Sequence, residues 1–193
     1  LASDEVYVWN ADGSEIVDGD DDAQTTGPIT GVGGQFEPAG VALGELDGQP
    51  GLEIIASERA NAREIHVLRS DGTPLPGWPR ALMGSWNWAT PAVGDVDGDG
   101  DNEVGVNDTG GRTFVWHHDG TELRDGDGDP ATDGVFLQRN EAWGFSSPAL
   151  FDLDGDGAAE ILFGTRYEDG TPNGLEAYDA DGTLVPGFPV STG

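Results

Sequence analysis

Cysteine and lysine are both missing from this chain, and methionine occurs once. The absence of cysteine excludes disulfides, thiolate metal centres and a cysteine nucleophile. The absence of lysine leaves eight arginines against 37 acidic residues, a formal net charge of −29. A surface this negative repels nucleic acid and anionic membranes, so neither is expected as a partner. No apolar run approaches the length of a membrane span, which argues against insertion as a helix. Helical periodicity of useful length is missing as well. The sequence starts at Leu1 with neither a methionine nor a signal-like segment, so it reads as a processed form or an excerpt of a longer protein. A secreted chain without disulfides needs another staple, and bound metal is one.

Glycine and proline are abundant, about 23% of the 193 residues together. That suits many short strands joined by tight turns. Repeats are visible directly. One unit runs from Trp86 through Pro91 and Asp95 to Glu103-Val-Gly-Val. A second runs from Trp143 through Pro148 and Asp152 to Glu160-Ile-Leu-Phe. A more divergent third runs from Phe36 through Pro38 and Glu45 to Glu53-Ile-Ile-Ala. Their first loop acids, Glu45, Asp95 and Asp152, are spaced by 50 and 57 residues. Each unit is followed by an apolar alternation ending in Asp-Gly, at Asp71-Gly72, Asp119-Gly120 and Asp181-Gly182; Asp12-Gly13 closes an earlier copy. Asp-Gly after alternating apolar residues signals a hairpin, because glycine supplies the positive φ.

Each repeat therefore predicts four short strands. The first is Pro91–Asp95 or its equivalent, the second Glu103–Val106, the third Thr113–His117, and the fourth follows the Asp-Gly turn. Four antiparallel strands per unit of this length predict an all-β protein, a β-propeller of four-stranded blades. About three and a half blades are present: the last two strands of one in 1–30, then blades over 31–82, 83–138 and 139–193. Such a segment cannot close a ring, and open edges invite completion by further blades of the parent chain or by self-association.

The acids are clustered. Asp95, Asp97, Asp99 and Glu103 occupy positions 1, 3, 5 and 9 of a loop with Gly100 at position 6 and the Asp101 carbonyl at position 7. Alternate side chains of a tight loop turn toward one point, and hard oxygen donors in flexible geometry suit Ca2+. Asp152, Asp154, Asp156, the Ala158 carbonyl and Glu160 repeat the pattern with Gly157 at position 6. A polar turn with solvated acids is the alternative, but it leaves three close carboxylates mutually repelling, twice in register. Glu45, Asp47, Gln49, the Gly51 carbonyl and Glu53 form a degraded copy in which Pro50 replaces the glycine. Two acidic tails give further candidates: Asp125, Asp127, Asp129, the Ala131 carbonyl and Asp133, and Asp18, Asp20, Asp22, the Gln24 carbonyl and Thr26. Two loops thus read as calcium sites and three more as weaker candidates, with exposed turns as the alternative for those three.

The run Trp143-Gly-Phe-Ser-Ser-Pro-Ala-Leu-Phe-Asp152-Leu-Asp-Gly-Asp-Gly-Ala-Ala-Glu160-Ile, and with it the Asp95 unit, resembles the FG-GAP/VCBS repeat family, propeller repeats also found in integrin α chains. The Glu45 unit departs at its first, fifth and sixth positions. The resemblance covers nearly the whole chain. It implies calcium-binding loops between the first two strands of each blade, and an extracellular setting, secreted or on a cell surface, in adhesion or carbohydrate-related proteins. A protein or carbohydrate ligand is the expected partner.

Phe36, Trp86 and Trp143 align, as do Trp88 and Phe145. Their repetition predicts packing between blades, with a sugar- or partner-binding rim as the alternative. Trp9, Leu68, Trp116 and Tyr178 align in the third strand and are expected in the core. Trp78 and Phe188 are expected to pin the outer strand. No Ser/His/Asp order or nucleotide loop stands out, so a non-enzymatic module for binding, adhesion or structural assembly is expected. Two alternatives stand beside it: a fragment of a calcium-dependent polysaccharide lyase, some of which resemble this repeat type, and a subunit of an extracellular oligomer or filament. Five calcium ions would still leave a charge of −19 from the starting −29, so salt adaptation is a secondary expectation.

Overall fold

The computed structural model describes residues 6–16, 40–58, 63–82, 86–129, 131, 133–139, 142–143, 146–167 and 173–191. These residues contain strands and turns and no helix. The strands are β1 (Val41–Gly44), β2 (Glu53–Ser57), β3 (Glu64–Leu68), β4 (Arg80–Ala81), β5 (Ala92–Gly94), β6 (Glu103–Asn107), β7 (Arg112–Trp116), β8 (Val135–Gln138), β9 (Ala142–Trp143), β10 (Ala149–Phe151), β11 (Glu160–Tyr167), β12 (Gly174–Tyr178) and β13 (Val190–Ser191). They form three antiparallel meanders, β1-β2-β3-β4, β5-β6-β7-β8 and β10-β11-β12-β13, and β9 pairs with the far half of β11.

The second strands carry unbroken apolar runs, Ile54-Ile55-Ala56, Val104-Gly105-Val106 and Ile161-Leu162-Phe163. Such runs suit strands covered on both faces, and that is how the sheets stack. Ile55, Ile65 and Val67 of the first sheet meet Val104, Val106, Phe114 and Trp116 of the second. On the second sheet's other face Val115 and Phe136 meet Ile161 and Phe163 of the third. Val6 covers Ile54, Ala56 and Leu68 on the free face of the first.

The first strands lie side by side, β5 adjoining both β1 and β10. Close approach there requires glycine. A Cβ on Gly44 would lie 2.5 Å from Cγ1 of Val93, and one on Gly94 would lie 2.9 Å from Cβ of Leu150. Replacing Gly94 by valine is therefore expected to force the second and third sheets apart. The expected loss is about 1–3 kcal/mol, the usual cost of overpacking a core, read from denaturant midpoints.

Each Asp-Gly turn has one design. In the first sheet Gly72 donates its N–H to the Arg69 carbonyl (2.9 Å) and Arg69 donates to the Thr73 carbonyl (2.9 Å). The glycine has φ 80°, and Asp71 Oδ1 accepts from the Thr73 N–H at 2.9 Å. This is a type I turn with a left-handed glycine, a three-residue hairpin loop. A single bridge follows (Leu68 to Pro74, Trp116 to Glu122, Tyr178 to Leu184). The fourth strand comes only later, as β4, β8 or β13.

Three aromatic expectations change. Trp78 does more than pin its own outer strand: its Nε1 donates to the His118 carbonyl at 3.0 Å, and its ring meets Trp116 edge-on at 5.8 Å, tying the first sheet to the second. Trp86 and Trp88 are 51% and 46% exposed rather than packed between sheets, because on this stretch it is the alternate residues Asn87 and Ala89 that turn inward, both fully buried. Trp9 is exposed and stacks on Tyr7, whereas Leu68 and Trp116 are buried and Tyr178 is half-buried. Phe36 and Phe145 lie outside the described residues.

Candidate metal centre

The three acidic loops join the first two strands of each sheet, and one hydrogen-bond scheme builds them all. The closing glutamate reaches back to the second residue of its loop. Glu53 Oε2 accepts from the Leu46 N–H at 2.7 Å, Glu103 Oε2 from Val96 at 2.7 Å, and Glu160 Oε2 from Leu153 at 2.5 Å. The opening aspartate takes two further N–H groups in the second and third loops. Asp95 accepts from Gly98 (2.8 Å) and Gly100 (3.0 Å), and Asp152 from Gly155 (2.6 Å) and Gly157 (3.2 Å). Gly100 and Gly157, with φ 97° and 100°, make that bend. In the first loop Glu45 accepts from Asp47 and Gly48, but Pro50 stands at the sixth position and has no N–H to give.

The scheme turns carboxylates toward one another. Asp95, Asp97 and Asp99 bring three oxygens within 4.8 Å, as do Asp152, Asp154 and Asp156, and Glu45, Asp47 and Glu53. Asp101 and Ala158, placed at position 7, donate their own N–H groups to Asp99 (2.9 Å) and Asp156 (2.9 Å), while Gln49 donates to Asp47 (3.0 Å). Burial pushes the carboxyls of Glu53, Glu103 and Glu160 up, and the acids of each loop add to it: Asp47 and Glu45, then Asp97, then Asp154, Asp156 and Asp152. Close hard oxygens whose charge is disfavoured until a cation arrives are a donor set that fits calcium.

Strand register adds a residue that loop spacing does not reveal. Ile54 pairs with Leu68, Val104 with Trp116 and Ile161 with Tyr178. The position facing the closing glutamate is therefore Arg69, His117 or Asp179. Arg69 Nε donates to Asp47 Oδ2 at 2.9 Å, so the first loop holds a guanidinium of its own. His117 Nδ1 lies 3.1 Å from Glu103 Oε1 and 3.8 Å from Asp97 Oδ2. Asp179 adds an acid to the third loop. Burial pushes its carboxyl up, and Asp181, Asp154 and Asp156 push it further. The residue after the aligned Leu68, Trp116 and Tyr178 was the available signal.

The tail at Asp125 is arranged differently. Asp125 caps Gly128 (2.6 Å), Asp127 caps Asp129 (2.9 Å), Asp129 caps Ala131 (3.0 Å) and Asp133 caps Val135 (3.0 Å). Its carboxylates serve a run of successive turns. Asp18, Asp20, Asp22, Gln24 and Thr26 lie outside the described residues.

Fold and loops together define an all-β protein of antiparallel sheets stacked in series, with one acidic loop per sheet and the loops of successive sheets adjoining along one edge of the stack. No protein-family model matches the chain, and no curated protein matches it. Among solved structures it is similar to the V. cholerae biofilm matrix protein Bap1, with 17% identity and a TM-score of 0.36 over 75% of this chain. The chain spans 27% of the length of that protein. Among the described residues no helix is long and apolar enough to cross a membrane.

Proposed function

We propose that this chain is a calcium-stabilised β-propeller segment of the FG-GAP/VCBS type, a non-enzymatic module for binding, adhesion or structural assembly outside the cell. The observation that carries the reading is the convergence of three carboxylate oxygens within 4.8 Å in both the Asp95 and Asp152 loops. Each loop joins the first two strands of a four-stranded sheet, and the first strands of the three sheets gather side by side. Asp95, Asp97, Asp99, the Asp101 carbonyl and Glu103 would hold one ion. Asp152, Asp154, Asp156, the Ala158 carbonyl and Glu160 would hold the other, with Asp179 beside them. The ion supplies positive charge that joins the acids of a loop into one rigid unit. In the first loop Arg69 takes that role.

The exposed rings of Trp86 and Trp88 offer a surface for a protein or carbohydrate ligand. A second reading, one segment of a larger ring or assembly, is favoured by the two ends of the stack. Leu43 is 60% exposed although it holds the position at which Val93 and Leu150 seat against glycine in the preceding sheet, and Phe151 is 65% exposed. Further blades of the parent chain, or a second copy, would cover them.

Titration calorimetry on chelator-treated chain tests the calcium assignment. Two calcium ions are expected to bind, falling to one in Asp154→Asn. Arg69→Asp, which copies the acid at Asp179, is expected to add a third. Absence of calcium binding to the wild type would overturn the proposal. An unchanged stoichiometry in the Arg69 variant would remove the role given to that guanidinium.

A further inference from the structure

Two kinds of unit alternate along the stack. The first and third sheets carry a Pro-Gly-aromatic-Pro turn before their last strand, Pro76-Gly77-Trp78-Pro79 and Pro186-Gly187-Phe188-Pro189. The second sheet, and the hairpin at 6–16 that leads the stack, instead follow their Asp-Gly turn with a bridge to a glutamate, Trp116 to Glu122 and Trp9 to Glu15.

The junction of the first sheet with the second is a turn held in a socket. A Cβ on Gly77 would collide with the Asp119 carbonyl, and one on Gly120 would lie 2.7 Å from Arg80 Nε. Trp78 donates to the His118 carbonyl and meets Trp116 edge-on. Trp116 and the Asp119-Gly120 turn thus fit against Gly77, Trp78 and Arg80 of the sheet before them. Both halves of this junction recur at the ends of the stack. In the leading hairpin Trp9, Asp12 and Gly13 copy Trp116, Asp119 and Gly120. Val6 and Val8 pack on the first sheet, so the alternate residue Trp9 faces away from it. Trp9 is 50% exposed, and Gly13 is exposed where Gly120 is buried. In the third sheet Gly187, Phe188 and Val190 copy Gly77, Trp78 and Arg80. Chain neighbours apart, no described residue comes within 4 Å of a Cβ placed on Gly187, and Val190 is 49% exposed.

We propose that a second copy of this chain docks head-to-tail, its Trp9 and Asp12-Gly13 turn entering the socket at Gly187 and Phe188. The inference rests on the reading of the chain as one segment of a larger assembly, and names the partner of its open end. The alternation favours this occupant: a hairpin placed after the third sheet repeats the order of the second sheet after the first. Phe188 lacks the indole N–H that Trp78 gives to His118, and Val190 replaces Arg80, so the docked contact is aromatic and apolar. It joins two different surfaces, so it is heterologous and propagates into a ring or a filament.

Sedimentation velocity of the full chain tests it, in calcium and in enough NaCl to screen a net charge of −29. Mass is expected to rise with protein concentration. Trp9→Ala removes the entering ring, and Val190→Glu puts a charge into the socket. Each variant is expected to remain a monomer at every concentration, with the thermal midpoint of dilute wild type in calcium, since both side chains are exposed. An equimolar mixture of the two is expected to give a dimer and nothing larger, because each keeps the end that the other has lost. A wild type that stays monomeric while still binding calcium would overturn the second copy and leave the calcium reading standing. Variants that assemble alone, or a mixture that stays monomeric, would overturn the contact equally.

Discussion

Replacing Trp116 by alanine is expected to cost about 3–5 kcal/mol, the range for removing a fully buried large aromatic. Trp116 is wholly buried between the first two sheets. Its ring stacks on Phe114 at 5.5 Å and meets Trp78 edge-on at 5.8 Å. A Cβ on Gly134 would lie 1.9 Å from its Nε1, so the tail after the Asp125 turns is shaped around the indole. Alanine would empty that space on both sides at once. Among the described residues the buried Nε1 has no hydrogen-bond partner, so phenylalanine would remove volume together with a poorly satisfied donor. Trp116→Phe is therefore expected to lose less than half of what Trp116→Ala loses, since apolar replacement of an unmade hydrogen bond is nearly neutral. Denaturant unfolding of both variants at fixed calcium reads the difference. Equal losses would mean that the indole nitrogen is satisfied and that the ring acts as a polar tie.

What was legible in the sequence was what is local. The 1-3-5-9 acids, the glycine at position 6 and the Asp-Gly turns are spacings within ten residues, and backbone geometry alone converts them into loops and hairpins. The four-strand unit was legible for the same reason, since period-two patterns name strands without naming neighbours. The rest needed register or stacking. Arg69, His117 and Asp179 are 16, 14 and 19 residues beyond the glutamates they face, and only the β2–β3, β6–β7 and β11–β12 pairings place them there. The repetition of Trp86 and Trp88 suggests packing, yet repetition marks an equivalent position and not the side of the chain that water covers. The Pro-Gly-Trp78-Pro turn points only to its own sheet, because sequence carries no information on where the next sheet lies.

Calcium is expected to raise the stability of the chelated chain by about 5 kcal/mol at a hundredfold excess over Kd, about 2.7 kcal/mol from each of two sites. For a chain of this length that corresponds to a melting shift of about 10–20 °C. Magnesium at equal concentration should give much less, because it demands a stricter octahedron. Molar NaCl at constant chelator separates a salt-adapted acidic surface, which screening alone would stabilise, from built sites, which it would not complete. The pH dependence sharpens the distinction. Glu53, Glu103 and Glu160 have carboxyls raised above 4.5, so the folded state prefers them protonated. Their destabilising effect is absent below 4.5 and grows as pH rises through the raised folded values. Asp12, Asp71, Asp119 and Asp181 are lowered below 3.8, chiefly by the side chains of Ser14, Thr73, Thr121 and Thr183. Their stabilisation is already complete above 3.8 and is lost only in stronger acid. Between pH 5 and 8 these glutamates act together with Asp179 and Asp108, whose carboxyls burial also pushes up, and the chelated chain should melt lower at pH 8 than at pH 5. Bound calcium requires the ionised ligands, so it should stabilise most at pH 8 and least at pH 5. A calcium shift that is the same at both pH values would place the ion away from these glutamates and remove the loops from the account.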